Sequence, residues 1–169
     1  MEIERKFLIK ELPHNLEEYP CLLIEQAYLC TEPVIRIRRQ DEEYYFTYKG
    51  KGLMSREEYN LPLNKEAYEH LRLKADGNII TKKRYVIPLM HPQFKEGYTP
   101  SYSSEDAVIN EPLKIELDIF EEPFKPLMIA EVEFPDEEMA NAFIMPEWFK
   151  EDVTNNPAYH NSNLSKKTF

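Results

Sequence analysis

From Glu2 to Ile9, Glu2, Glu4 and Lys6 alternate with Ile3, Arg5 and Phe7, and a period of two predicts a strand with a row of charge on one face. The same alternation predicts strands over Val34 to Arg39, Tyr44 to Lys49, Leu53 to Leu63, Ile79 to Leu89, Leu113 to Phe120 and Leu127 to Phe134. Cys21 to Cys30 is apolar apart from Gln26 and Tyr28, which suits a strand buried on both faces for part of its length. Glu32-Pro33, Gln40 to Glu43, Gly50 with Gly52, and Glu121 to Pro126 read as turns between strands, mostly as hairpins. Asn64 is placed to cap a helix from Lys65 to about Ala75, with Ala67, Leu71 and Ala75 on one face and Asp76-Gly77-Asn78 as its stop. Pro135 is expected at the first position of a second helix, with Asp136, Glu137 and Glu138 near its positive end and Met139, Phe143 and Ile144 facing the core. A short helical turn is expected at Leu16 to Tyr19, a long loop or flap over Met90 to Asn110, and no regular period follows Trp148.

About eight strands with two to three helices predict an α+β fold whose antiparallel strands suffice to close a barrel around one small ligand. Neither an internal repeat nor a low-complexity tract interrupts the chain, and 169 residues are expected to form a single domain over residues 1–169. Apolar residues at 42% with charged residues at 31% are the composition of a soluble globular protein. A formal charge of -10 argues against general nucleic-acid binding, which needs a net basic surface, but it leaves room for a small polyanion if the cations are gathered in one place. The absence of a long apolar run and of a signal-peptide core makes a cytoplasmic protein with no membrane partner the expectation. Cys21 and Cys30 are expected as reduced thiols, and His14, His70, His91 and His160 as isolated structural or exposed side chains. Assembly is left open, a homodimer included.

The charged rows carry the candidate chemistry. Glu2, Glu4, Glu116, Asp118, Glu131 and Glu133, with Glu58, would repel one another if gathered in one barrel, and hard divalent cations such as Mg²⁺ or Mn²⁺ relieve this through oxygen ligands. Lys6, Arg36, Arg38, Lys49, Lys82, Arg84 and Lys114 supply the forked and compact donors that a chain of phosphates requires. Periodicity alone does not say which face of each strand is inside.

Glu2-Ile-Glu-Arg-Lys6, followed in order by Gln26-Ala-Tyr-Leu29, Arg36-Ile-Arg38, Tyr48-Lys-Gly50, Lys82-Lys-Arg-Tyr85, Glu116-Leu-Asp118, Ala130-Glu-Val-Glu133 and Asp152-Val-Thr154, resembles the CYTH superfamily of triphosphate tunnel metalloenzymes. The resemblance implies an eight-stranded tunnel with the charges inward and one or two Mg²⁺ or Mn²⁺ ions, Glu2 and Glu4 among their ligands. It also implies that Tyr28 and Lys82 orient or deprotonate a water, with a carboxylate as a competing base. The tail from Val153-Thr154 to Asn161-Ser162-Asn163-Leu164 favours the bacterial inorganic triphosphatase-like branch, whereas Asn60, where many relatives carry another glutamate, departs from the pattern. The activity implied is metal-dependent release of the terminal phosphate of a short triphosphate, above all inorganic tripolyphosphate. Thiamine triphosphatase, nucleoside triphosphatase and a class IV-like adenylyl cyclase are alternatives within the fold, and a noncatalytic polyphosphate-binding module is the alternative outside catalysis.

Overall fold

The structure, a computed structural model, describes residues 1–100 and 113–169. Its strands are β1 (Glu2–Ile9), β2 (Cys21–Thr31), β3 (Val34–Gln40), β4 (Glu43–Lys49), β5 (Ser55–Arg56), β6 (Glu58–Leu63), β7 (Asp76–Pro88), β8 (Gln93–Phe94), β9 (Lys114–Phe120), β10 (Met128–Glu133), β11 (Phe143–Ile144) and β12 (Phe149–Asp152). Among the described residues three short α-helices accompany them: α1 (Lys65–Arg72), α2 (Glu137–Ala142) and α3 (Asn161–Leu164). The main sheet runs β12-β1-β10-β9-β7-β2-β3-β4-β6, and its described pairings are antiparallel.

The segment that interrupts itself at Glu57 joins the two ends of this sheet. β6 pairs with β4, while β5 pairs with β1 through Glu2 with Arg56 and Ile3 with Ser55, and the Glu4 amide adds a hydrogen bond to the Met54 carbonyl at 3.0 Å. With β5 and β6 counted as one interrupted strand, the circuit β1-β10-β9-β7-β2-β3-β4-β5/β6 has the expected eight members. The rest of that edge of β1, Phe7 to Ile9, is taken by β12. Pro62 fits in β6 because, among the described residues, β6 has no partner on its far side and so no ladder bond to lose there.

Alternation sends one face of each strand outward under apolar cover. Ile3, Phe7, Ile115, Leu117, Ala130 and Val132 form one cluster with Met139 and Ala140 of α2 and with Phe143 and Phe149. On the opposite side Ala27, Ile37 and Tyr44 pack beneath Tyr68 of α1. The barrel interior is polar for most of its depth, but Val34, Ile80, Phe120 and Ile129 close its far end with Leu164 of α3.

Several boundaries depart from the sequence expectation. α1 stops at Arg72 rather than near Ala75, and Asp76-Gly77-Asn78 is the start of β7, with Asp76 opposite Tyr28. Gly77 is required there: its φ is +73°, and a Cβ would lie 2.2 Å from the Ser165 carbonyl oxygen of the docked tail. Asn64 does cap α1, its side chain accepting from the Ala67 amide at 2.7 Å. In α2 the cap is Asp136, which accepts from the Met139 amide at 2.7 Å, so Pro135 lies just outside the helix and not at its first position. Met139 and Phe143 are buried as expected, but Ile144 is exposed because the chain leaves the helix as strand β11. Part of the expected loop over Met90 to Asn110 is ordered by the pairing of β8 with β11, and its residues 101–110 lie outside the described residues. The tail after Trp148, which has no period, forms β12, a short 3-10 turn and α3, held by long-range partners instead of its own pattern.

Candidate active site

The inward pleats surround a cavity of about 340 Å³. Lys6, Arg36, Arg38, Lys49, Arg56 and Arg84 line it as six cations, and Glu2, Glu4, Glu58, Glu116, Glu131 and Glu133 as six carboxylates. The chain carries -10 overall. Its cavity is therefore formally balanced, and much more cationic than the rest of the molecule. Tyr28, Gln40, Asn60, Asn161 and Ser162 complete the polar lining, and Tyr28 is the one aromatic residue in it among the described residues.

Cross-strand register creates the first set of contacts. Lys6 stands opposite Glu131 and Lys49 opposite Glu58, with Glu4 opposite Glu133 and Glu116 opposite Glu131. The Lys6 Nζ is 2.8 Å from Glu131 and 3.0 Å from Glu4. Burial opposes the Lys6 charge, but those carboxylates hold its pKa above the ordinary lysine value. Burial likewise works against an ionised Glu131, yet Lys6, Arg84 and Lys82 keep it well below the usual carboxylate range. Lys49 bridges Glu2 at 2.8 Å and Glu58 at 4.0 Å, and Arg56 approaches Glu2 at 3.8 Å, so these ion pairs cross the seam closed by β5.

A second layer lies behind the lining. Asp118, opposite Arg84 on β7, accepts from its Nε at 2.7 Å and from a terminal nitrogen at 2.8 Å, and accepts from Lys82 Nζ at 2.6 Å. Arg84 reaches on to Glu116 and, at 3.5 Å, Glu131. Burial pushes Lys82 down to about 7 against the attraction of Asp118, with Arg84 and Arg38 adding repulsion. Burial raises the cost of charge on Asp118 too, but Arg84 and Lys82 hold it below its ordinary value.

The two cavity-lining arginines of β3, Arg36 and Arg38, differ from all of these. Arg36 donates to the Thr47 hydroxyl at 3.2 Å, and its buried Nε has no hydrogen-bond partner among the described residues. Arg38 donates to the Gln26 carbonyl oxygen at 3.1 and 2.8 Å. Neither donates to a carboxylate in the described structure, and burial, with Arg36 and Arg84 alongside, pushes Arg38 down to about 9. On the facing wall the imbalance is reversed: burial and then Glu2, Glu116, Glu4 and Glu58 push Glu133 up to about 7. Glu2 is also raised, by burial and by a hydrogen bond with Glu58 that outweigh Lys49. One wall has an excess of cations that an anion would relieve; the other has an excess of carboxylates that a cation would relieve.

Of the residues expected from the sequence, Glu2, Glu4, Lys6, Tyr28, Arg36, Arg38, Lys49, Glu58, Arg84, Glu116, Glu131 and Glu133 are brought together around the cavity. Asp118 and Lys82 are placed behind them, fully buried in their own ion pair. Lys114 is not brought in. It is exposed at the rim, the first residue of β9 opposite Pro88, where the pleat that carries Glu116 and Asp118 runs past the cavity mouth. Arg56 is a lining residue that the sequence expectation omitted, although its two-residue spacing from Glu58 was a usable signal. Asn161 and Ser162 were missed because they come from the tail, whose position no local pattern encodes.

Comparison with known proteins agrees with this geometry. Residues 1–89 match the CYTH domain. The chain is 35% identical over 167 residues to an inorganic triphosphatase of Nitrosomonas europaea, covering 97% of this chain and 96% of the relative. It is 32% identical over 177 residues to an inorganic triphosphatase of Acetivibrio thermocellus, covering 99% and 95%. The crystal structure of an inorganic triphosphatase superposes with a TM-score of 0.66 at 32% identity, over 99% of this chain and 96% of that one. A matched domain over more than half the chain, relatives above 30% identity along nearly its whole length, and a barrel with its charged rows inward together make this chain a member of the CYTH family.

Proposed function

We propose that this protein is a metal-dependent hydrolase that removes the terminal phosphate of a short triphosphate, with inorganic tripolyphosphate as its principal substrate. The observation that carries this reading is the division of one cavity between Arg36 and Arg38, which donate to no carboxylate among the described residues, and the overcrowded carboxylates around Glu133. Arg36 and Arg38 bind and orient the phosphate chain, and Lys49, Arg56 and Arg84 exchange part of their internal pairing for phosphate oxygens.

The donor set fits Mg²⁺ or Mn²⁺. Among the described residues no group of three or more His, Cys, Asp or Glu side chains forms a ready-made cage, so Glu2, Glu4, Glu116 and Glu133 would hold such an ion with water and phosphate oxygens, as Mg²⁺ prefers. When bound, it supplies Lewis-acid polarisation of the phosphoryl oxygens and charge neutralisation in the loose transition state. Lys82, which burial pushes down to about 7, is the candidate base for the attacking water, and a cavity carboxylate that does not hold the ion is the competing one. Tyr28 lies in the lining where it can orient that water. A cavity whose described lining has Tyr28 as its one aromatic offers little for stacking a nucleotide base, which favours inorganic over nucleoside triphosphates.

The test is a phosphate-release panel from pyrophosphate through tripolyphosphate, long-chain polyphosphate, thiamine triphosphate and ATP, with each divalent ion and with chelator. Tripolyphosphate should be the best substrate, giving pyrophosphate and orthophosphate, with loss of turnover in chelator. A preference for ATP yielding a cyclic nucleotide, or binding without turnover, would replace this reading by one of its rivals.

A further inference from the structure

Gln26 is fully buried on β2, just before the register shift that reorients Tyr28. Its carbonyl oxygen accepts from Arg38 Nε at 3.1 Å and from a terminal nitrogen at 2.8 Å. Its Nε2 donates to Asn161 Oδ1 at 3.0 Å, which also accepts from Lys82 Nζ at 3.3 Å. One amide therefore connects a strand arginine, the docked tail and the buried lysine. The acceptor facing Arg38 is neutral, whereas Asp118, the partner of Arg84 and Lys82, is charged.

This difference has an electrostatic consequence. A two-pronged bond to a carboxylate would fix Arg38 equally well but cancel most of its charge in a site of low dielectric. A carboxamide fixes the guanidinium plane and leaves the charge for a ligand, with the remaining N–H groups free to donate to it. The tail end of the bridge is itself fixed: the Asn78 amide donates to the Ser165 carbonyl at 2.6 Å, and the Asn78 side chain donates to the Lys167 carbonyl at 2.7 Å.

On the reading of the cavity as a triphosphate site, we propose that Gln26 is a positioning residue that orients Arg38 toward the substrate without neutralising it, with Asn161 anchoring Gln26 from the tail. Gln26 touches no reacting atom; it acts through Arg38.

The experiment compares Gln26→Glu and Gln26→Met, each alone and combined with Arg38→Met, by steady-state kinetics on tripolyphosphate, by calorimetric binding of tripolyphosphate in chelator, and by thermal unfolding. Gln26→Glu keeps the acceptor toward Arg38 but makes it charged and removes the donor to Asn161, so KM and the dissociation constant should each rise at least tenfold while kcat stays within about threefold, with thermal unfolding reporting the lost tail contact separately. A purely structural glutamine predicts the opposite, a lower melting temperature with KM and binding within twofold of wild type. Gln26→Met, which has no acceptor, should also raise KM, and that effect should vanish when Arg38 is already Met. Gln26→Glu with KM and binding within twofold of wild type would overturn the proposal. Should that variant not fold, additive effects of Gln26→Met and Arg38→Met would do the same. Wild-type protein that neither binds nor hydrolyses tripolyphosphate is a separate result, which overturns the functional reading beneath it.

Discussion

Asp118→Asn tests the ionic layer behind the cavity. The side chain is fully buried and accepts three hydrogen bonds, at 2.6 Å from Lys82 and at 2.7 and 2.8 Å from Arg84. The variant keeps the shape and removes the charge, leaving Arg84 and, at a pH below about 7 where it is protonated, Lys82 beside a neutral amide. Breaking a buried ion pair from one side costs about 3–5 kcal/mol, because the remaining charge has already been taken out of water. Arg84 retains Glu116 and Glu131, so the damage falls mainly on Lys82, whose other described contacts are Asn161 at 3.3 Å and the Phe120 ring at 5.2 Å. That places the expected loss near the lower limit, about 3 kcal/mol, or a fall in melting temperature of about 6–12 °C for a chain of this size. Thermal and urea unfolding of both proteins in chelator measures it.

The pH dependence adds a second constraint. Arg84 and Lys82 hold the Asp118 carboxyl below its ordinary value despite burial. A depressed acid contributes stability that is present above its unfolded pKa, about 4, and that is lost as pH falls through the folded value. The wild-type advantage should therefore be full between about pH 6, where Lys82 is protonated, and about pH 4, and shrink below it. A loss under about 1 kcal/mol, or a gap that stays constant into acid, would refute the claim that Asp118 stabilises the two cations chiefly by charge.

Three further outcomes follow from the same geometry. Arg36→Met should lower kcat/KM for tripolyphosphate by about 10²-fold or more with little loss of stability, since its buried Nε already lacks a partner among the described residues; steady-state kinetics beside thermal unfolding would separate the two. Glu133 is pushed up to about 7 in the metal-free protein, so Glu133→Gln should remove a group whose ionised form accumulates only as pH rises through that value. Titration of the metal-free protein by NMR should lose one near-neutral carboxyl in that variant, and an unchanged titration would reassign the group. Gly77→Ala should destabilise by about 1–3 kcal/mol, because φ is +73° and the new Cβ would meet the Ser165 carbonyl, and urea unfolding should show the loss together with faster amide exchange in α3.

Legibility in the sequence followed the range of the forces involved. The rows Glu2-Glu4-Lys6, Arg36-Arg38 and Glu131-Glu133 were readable because a strand alternates by its own covalent geometry, and the Asn64 cap because its hydrogen bond closes within three residues. Helix ends were less secure: α1 yields to β7 at Asp76, where pairing with Tyr28 wins over continuation of the helix. Arg56 carried the right parity and was passed over, since its strand is only two residues long and is held by β1, more than fifty residues earlier in the chain. Lys114 shows the converse, for parity names a face but not a depth, and at the rim that face opens to solvent.

By itself, then, the sequence determined the eight strands of the circuit, for most of them the separation into a charged and an apolar face, and the two kinds of charge available for a ligand. Tertiary structure decided which charges meet. Only the closed circuit set Arg36 and Arg38 apart from the carboxylates, sank Asp118 and Lys82 beneath the wall, and brought Asn161 from the tail to Gln26. The reason is physical: alternation is a property of neighbouring residues, whereas burial, field and hydrogen-bond partner at each charge depend on strands that the chain brings together from far apart.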